Sequence, residues 1–206
     1  TSVEYSGLES RTFSNEARVG GNGVFRHFYR PAAGRIVKPM VPFFEPAGTG
    51  DGYAVAITDP DLVYKQRLSE GLSGSVTMPV DIPEAGPVRI LARVRGMSVM
   101  ERASYTTGWP PAGEAARGTL AIRIGGKKAG TIPVEGFSWR WVAIDGGAVE
   151  LAAGVVELEA ATQDSGIAID NICVTNDPAF VPRGRGQAPE ELAAVPDGLR
   201  RALLTP

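Results

Sequence analysis

The sequence predicts an all-β fold, an antiparallel β-sandwich, and three observations lead to this prediction. Between residues 118 and 175, short segments alternate apolar and polar side chains with a period of two, the pattern of half-buried strands. Glycines punctuate these segments where turns are needed. The chain of 206 residues contains 26 glycines and 16 prolines, as a protein with many turns requires.

The chain divides into three predicted parts. Residues 1–50 form an irregular N-terminal segment with short strands, which belongs to the sandwich or is an arm that contacts a partner. Residues 51–182 form the β-sandwich itself. Residues 183–206 form a linker and a short helical tail, because the spacing there is helical but Pro196 interrupts it.

The strands of the second half follow from their alternation. One predicted strand places Leu120, Ile122 and Ile124 on the same face, and a later strand does the same with Val156 and Leu158. The turns between strands are predicted at Gly125–Gly126, Gly146–Gly147, Gly154 and Ser165–Gly166.

The closing strand changes phase halfway along its length. Ile167 and Ile169 hold one phase, whereas Ile172 and Val174 hold the opposite one. The change falls at Asp170–Asn171 and predicts a β-bulge, which can redirect a side chain at the rim of a sheet.

Composition narrows the classes of function. The 21 basic and 23 acidic residues nearly balance, so no overall field favours nucleic acid or an anionic membrane, and no apolar run is long enough to span a bilayer. The single cysteine, Cys173, is expected to be buried in a strand. The single histidine, His27, shares a face with Phe25 and is expected to make a local hydrogen bond. With one histidine and no catalytic motif, we do not expect an enzyme.

A succession of small motifs resembles a known family. The segments GSVTMPVDIPEAGPVRILARV, GTLAIRIGG, IPVEGFSWRWV and GIAIDNICV follow one another over residues 70 to 181. Their order resembles that of the galactose-binding-like jelly-roll domains of non-catalytic carbohydrate-binding modules. The resemblance implies an antiparallel jelly-roll β-sandwich.

The resemblance also implies a sugar site. In such modules the sugar docks on loops with exposed aromatic side chains, and the loop-like stretch 97–117 carries Tyr105 and Trp109. With Arg140 as a polar partner, these are the candidate ligand-binding residues; the alternative is that Trp109 covers a sheet edge. The family's polar residue two positions before the closing Asp is Ala168 here, a departure at the usual site.

The aromatic strand and its neighbours leave further alternatives open. Phe137, Trp139 and Trp141 share one phase, so they form either a platform for sugar rings or, as we expect, part of the core. Phe43 and Phe44 are adjacent and must point in opposite directions, so at most one is exposed.

Calcium is the one cofactor that the resemblance implies. Asp170 matches the closing Asp that contributes to a structural Ca²⁺ site in related modules, and Glu4 or Glu9 could supply a further ligand. The alternative is that Asp170 only accepts hydrogen bonds at the predicted bulge.

Two hypotheses of function follow. The first is a carbohydrate-binding module of a secreted, periplasmic or cell-surface protein, with a glycan or polysaccharide as its partner. The second is a structural or assembly subunit that binds partner proteins through the sandwich and its termini.

Overall fold

The computed structural model describes residues 23–45, 47–48, 52–57, 73–98, 101 and 113–184. These ranges contain a short 3₁₀ helix at Pro31–Ala33 and eleven strands. The strands are β1 Arg26–Tyr29, β2 Arg35–Val37, β3 Met40–Phe44, β4 Tyr53–Ile57, β5 Gly74–Ile82, β6 Gly86–Gly96, β7 Gly118–Ile124, β8 Lys127–Val134, β9 Arg140–Leu151, β10 Gly154–Thr162 and β11 Ile167–Thr175. The predicted helical tail lies outside the described residues, which end at Gly184.

The strands form two antiparallel sheets. Sheet A has the order β3-β4-β11-β6-β9, with β1 also paired to β11, and sheet B has the order β2-β5-β10-β7-β8. The apolar residues of the two inner faces form one continuous core, which contains the predicted inward residues Leu120, Ile122, Ile124 and Leu158. The predicted all-β sandwich is therefore confirmed.

The irregular N-terminal part contributes strands to both sheets. Strand β1 pairs with β11 in sheet A, β2 pairs with β5 in sheet B, and β3 pairs with β4 in sheet A. His27 is buried in β1, where its Nδ1 lies 3.4 Å from the hydroxyl of Tyr29, a local contact, and 3.2 Å from the carbonyl oxygen of Asp81, which is distant in sequence.

The predicted bulge in the closing strand is present. The pairing of β11 with β6 shifts register between Ile169 and Asn171. On the two sides of this shift, Ile167, Ile169, Ile172 and Val174 all belong to the core between the sheets. One extra residue thus turns both halves of an out-of-phase apolar pattern to the same face.

The predicted turn at Gly146–Gly147 is wrong. Strand β9 runs through both glycines, and its pairing with β6 shifts register between Arg89 and Leu91. Gly147 has a φ of 75°, which suits a glycine in a bulge as well as one in a hairpin. Beside it, Asp145 accepts hydrogen bonds of 2.7 Å from the backbone N–H and the hydroxyl of Thr131. The strand therefore bends towards β8 of sheet B and does not reverse.

Cys173 is buried, as predicted, but on the face of sheet A that points away from sheet B. Burial raises the pKa of its thiol to about 12, although the charges of Arg89 and Arg26 oppose this shift. The thiol is therefore neutral and packs as an apolar group. Within the described ranges, no helix is long and apolar enough to cross a bilayer.

Candidate functional site on the outer face of sheet A

Two buried arginines project from the outer face of sheet A, the face that points away from sheet B. In strand β6, Ile90, Ala92 and Val94 face the core, so Arg93 and Arg95 face the other way. Their side chains are only 2% and 6% exposed. A guanidinium is almost never buried without partners, so this face must supply carboxylates or carbonyls.

Arg95 joins two carboxylates from different loops. Its Nη2 donates to Glu45 at 2.7 Å and to Glu101 at 2.9 Å, and its Nη1 donates to Glu101 at 3.2 Å. Glu45 follows β3, and Glu101 lies in the connection between β6 and β7. We call Arg95, Glu45 and Glu101 the Arg95 cluster. It ties the β3–β4 and β6–β7 connections to one strand.

Glu101 also closes a helix cap. The hydroxyl of Ser98 accepts the backbone N–H of Glu101 at 3.1 Å, and the carboxylate of Glu101 accepts the backbone N–H of Ser98 at 2.7 Å. This reciprocal pair is a capping box, which satisfies two backbone donors at once. At the base of the same connection, Ala116 donates its N–H to the carbonyl of Met97 at 3.0 Å. The connection is thus held at its start and at its end.

Electrostatics follow from these contacts. Burial alone would raise the pKa of Glu101, but the hydrogen bonds from Arg95 and Ser98 outweigh burial and lower it. Burial alone would lower the pKa of Arg95, but Glu101 and Glu45 outweigh burial and raise it. Arg95 and Glu101 are therefore both ionised at neutral pH.

Arg93 binds the β3–β4 connection to the closing strand. Its Nη1 donates to the carboxylate of Asp170 at 2.5 Å and to the carbonyl of Ala47 at 3.1 Å. A Cβ on Gly48 would lie 2.8 Å from the carbonyl oxygen of Glu45 and 3.0 Å from the carboxylate of Asp170, so glycine suits this close approach of the backbone. The bulge predicted from sequence thus carries a buried ion pair.

Trp139 packs beside both arginines. The guanidinium carbons of Arg93 and Arg95 lie 5.0 and 5.1 Å from the centre of its ring, within range of cation–π attraction. Its Nε1 is buried and finds no hydrogen-bond partner in the described part of the chain. Trp139 also covers a small apolar cluster of Phe43, Ala54, Ala56, Met97 and Ala168.

The predicted core position of the aromatic strand needs a correction. Trp139 and Trp141 share a face, as predicted, but this is the outer face of sheet A and not the space between the sheets. Trp141 packs there against Phe28 and Phe180, and its Nε1 donates to the carbonyl of Gly184 at 3.2 Å. Both tryptophans are half-buried in separate apolar clusters.

Of the candidate ligand-binding residues, Tyr105 and Trp109 lie outside the described residues. Arg140 begins β9, and its Nη1 forms a 3.3 Å ion pair with the exposed Glu135. Its Nε is buried without a hydrogen-bond partner in the described ranges. The neighbouring Gly136 accepts the N–H of Gly96 at 2.8 Å, so the residues before Arg140 adjoin the base of the β6–β7 connection.

Of the three candidate calcium ligands, only Asp170 belongs to the described residues. Glu4 and Glu9 lie outside the described residues, and Asp170 is fully buried against Arg93. A guanidinium on the carboxylate competes with a cation, and the described residues contain no group of three or more potential ligands of the Asp, Glu, His or Cys type. By themselves, the described residues do not fit a Ca²⁺ site.

Sequence reasoning missed the Arg95 cluster, although two signals were available. Arg93 and Arg95 occupy alternate positions in the apolar stretch of residues 90–96, which indicates a row of buried cations on one face. The spacing Ser98-x-x-Glu101 is the signature of a capping box. The partner Glu45 had no signal, because 50 residues separate it from Arg95.

Comparisons with known proteins place the fold. Neither a protein-family model nor a curated protein matches the sequence. Among solved structures, the chain is similar to the GH26-CBM35 β-(1,4)-mannanase of Podospora anserina, at 15% identity and a TM-score of 0.52 over 77% of this chain. It is also similar to the isomalto-dextranase of Arthrobacter globiformis T6 complexed with panose, at 15% identity and a TM-score of 0.50 over 72% of this chain.

The match spans 29% of the mannanase chain and 23% of the isomalto-dextranase chain. A family 35 carbohydrate binding module from Clostridium thermocellum is matched over 96% of its own length and 72% of this chain, at 15% identity and a TM-score of 0.49. The likeness to the mannanase and the isomalto-dextranase shows the fold, a jelly-roll β-sandwich, as the sequence motifs predicted.

Proposed function

We propose that the chain is a non-catalytic carbohydrate-binding module and that it binds a polysaccharide through the β6–β7 connection. The observation that carries the proposal is the way this connection is held. A connection whose base is hydrogen-bonded and whose Glu101 is tied to a buried arginine leaves the sandwich from a fixed place, and binding residues are commonly found on loops that a rigid scaffold positions.

Tyr105 and Trp109 lie within this connection and supply the stacking surface. An aromatic ring offers a broad apolar face to the C–H face of a sugar, at a low cost in side-chain entropy. Arg140 supplies hydrogen bonds to sugar hydroxyls from the neighbouring segment. The mannanase and the isomalto-dextranase that share the fold support polysaccharide as the ligand class.

The proposal also covers where the module acts and whether it catalyses a reaction. A module of this kind works on glycans outside the cytoplasm, as part of a secreted, periplasmic or cell-surface protein. It binds without catalysing a reaction, and the sole histidine supports this: His27 is buried and directed at a backbone carbonyl. Calcium binding by Asp170 with Glu4 or Glu9 is kept as a separate proposal, which requires Arg93 to release Asp170.

The test is a glycan-array and polysaccharide pull-down screen of the full chain, with calcium and with a chelator. We expect saturable binding that the Tyr105→Ala/Trp109→Ala variant loses by about tenfold or more, while its melting temperature stays within about 2 °C. Val155→Ala, at an exposed position on sheet B, is the matched control and should bind normally. Binding that the double variant retains in full would refute the proposed site, and loss of binding in chelator would support the calcium proposal.

A second candidate function is an assembly subunit, and one observation favours it. Ala168, at the position where the family carries a polar sugar-binding residue, is fully buried in the apolar cluster beneath Trp139. The usual sugar site is therefore apolar and closed at this point. If no glycan binds, light scattering of the full chain across a range of concentrations tests assembly: a mass above that of the monomer supports it, and a strict monomer argues against self-assembly.

A further inference from the structure

An exposed aromatic pair stands on the other side of the β3–β4 hairpin from the buried arginines. Phe44 and Tyr53 are directly opposite each other in the pairing of β3 with β4 and are 55% and 44% exposed. Their ring centroids are 5.8 Å apart with an interplanar angle of 73°. Only four large apolar side chains are exposed in the described ranges, and these two are the only aromatic ones among them.

The pair is held on a rigid support. Beyond Phe44, the backbone N–H of Glu45 donates to the carbonyl of Gly52 at 2.6 Å, which continues the hairpin ladder. Arg95 then holds the side chain of Glu45, and Arg93 holds the carbonyl of Ala47. A binding surface on such a support loses little conformational entropy when a ligand binds.

The size of the pair argues for a small ligand group and against a protein surface. At the exposed fractions given, two rings of about 200 Å² each leave roughly 200 Å² accessible. A stable protein interface needs about 800 Å² from each partner. Strand β3 is the edge of sheet A as far as the described strands go, but addition of a further strand there is unfavourable, because Pro42 at the centre of β3 offers no N–H to a new strand.

Among the described residues, the charge next to the pair favours a neutral ligand. The acidic residue next to Phe44 is Glu45, whose carboxylate is turned to the opposite side of the hairpin and neutralised by Arg95 at 2.7 Å. A neutral pyranose has a C–H face of about the size of one aromatic ring, which covers such a surface without burying a charge.

We propose that Phe44 and Tyr53 form a stacking subsite for one pyranose unit of a neutral polysaccharide, separate from the β6–β7 connection. This inference rests on the proposed carbohydrate-binding function and extends it. The subsite adds a second point of contact, so a long polysaccharide binds more tightly than a short oligosaccharide.

The experiment is an aromatic ¹H–¹³C NMR titration of the full chain with methyl β-glucopyranoside, methyl β-mannopyranoside and methyl β-galactopyranoside at millimolar concentration. We expect saturable shifts of the Phe44 and Tyr53 ring signals with at least one glycoside. Tyr53→Phe should retain the shifts of the Phe44 ring, because a ring remains at position 53. On the polysaccharides from the array, Phe44→Ala/Tyr53→Ala should raise the Kd by roughly 3- to 10-fold, and Val155→Ala should leave it unchanged.

The outcomes separate this subsite from the proposed function. If polysaccharide binds but the two rings do not shift and the double variant binds normally, the subsite is refuted and the proposed function stands. If the rings shift while the Tyr105→Ala/Trp109→Ala variant binds as well as the parent chain, the subsite stands and the proposed loop site is refuted. If no ring shifts and no polysaccharide binds, both are refuted.

Discussion

The buried charges on the outer face of sheet A cost stability but fix the positions of two loops. Moving Arg93, Arg95 and three carboxylates out of water is expensive, and apolar residues of similar volume would often stabilise such a site more. The charges instead fix the geometry, because the N–H groups of the Arg95 guanidinium point in fixed directions and hold Glu45 and Glu101 in one arrangement. The same positions filled with leucine would cover the face without fixing two loops.

Removal of the Arg95 guanidinium should therefore strongly reduce the free energy of unfolding. Arg95→Met keeps the length of the side chain but leaves Glu45 and Glu101 buried without a counter-charge, and we expect a loss of about 3–5 kcal/mol in the free energy of unfolding. Urea unfolding followed by tryptophan fluorescence measures the loss. The control is Arg123→Met, which removes an exposed pair with Glu159 and should cost less than about 1 kcal/mol. Equal losses in the two variants would show that the Arg95 cluster does not stabilise the fold.

At the scale of elements, alternation in the sequence carried most of the information about the sheets. Strands β7, β10 and β11 were predicted because their apolar residues follow a period of two, and the bulge was predicted because that period breaks at Asp170. The turn predicted at Gly146–Gly147 is wrong because glycines with a positive φ occur in both hairpins and bulges. Only the partner strand distinguishes a hairpin from a bulge.

The face of a strand is harder to predict than its phase. The spacing of Trp139 and Trp141 shows that they share a face, but a sandwich whose outer surface is covered offers two buried faces to choose from. The candidate site was hidden for a related reason. Two of its ion pairs join residues 50 and 77 positions apart, and no local pattern links such residues.

The start of the β6–β7 connection should respond to acid. The pKa of Glu101 lies below its ordinary value of 4.5 in the folded chain, so the unfolded chain binds more protons as the pH falls below about 4.5. Stability from Glu101 is therefore complete above that pH and is lost below it. Glu101→Gln preserves the capping box but not the charge.

We expect Glu101→Gln to cost about 2 kcal/mol at pH 7, through loss of the charged hydrogen bonds to Arg95. The difference from the parent chain should shrink as the pH falls below about 4.5, because protons then bind the unfolded parent chain more than the folded one. Urea unfolding at pH 7, 5, 4 and 3 measures the difference. Asp177, whose pKa the hydrogen bond from Arg26 lowers, should keep some acid dependence in both proteins. A difference that is constant across this range would contradict the assignment.

At the scale of the whole molecule, sheet A is buried on both faces over much of its area. Its inner face meets sheet B, and its outer face is covered by the cluster around Trp139 and by a second cluster around Trp141. The segment 176–184 lies over the second cluster, where Arg89 donates to the carbonyls of Pro178 and Phe180 at 2.8 and 2.9 Å. The same segment meets the start of the described chain, since Asn176 donates to Gly23 at 2.7 Å.

Because residues 176–184 cover part of the outer face of sheet A, the apolar contacts of Phe180 should stabilise the fold as much as those of a core residue. Phe180 is 5% exposed, packs edge-on against Phe28 at 6.2 Å and lies 4.3 Å beneath the guanidinium of Arg26. We expect Phe180→Ala to lower the free energy of unfolding by about 3 kcal/mol. Val181→Ala, at the next position and 56% exposed, is the matched control and should change it by less than about 0.5 kcal/mol.

Urea unfolding at pH 7 measures both variants, and equal slopes confirm that the same surface is exposed on unfolding. If Phe180→Ala unfolds at the same urea concentration as Val181→Ala, the segment only rests on the sheet and the sandwich is complete without it. If Phe180→Ala alone is destabilised, residues 176–184 belong to the cooperative fold, and a functional domain must extend to Gly184 and not stop at the last strand.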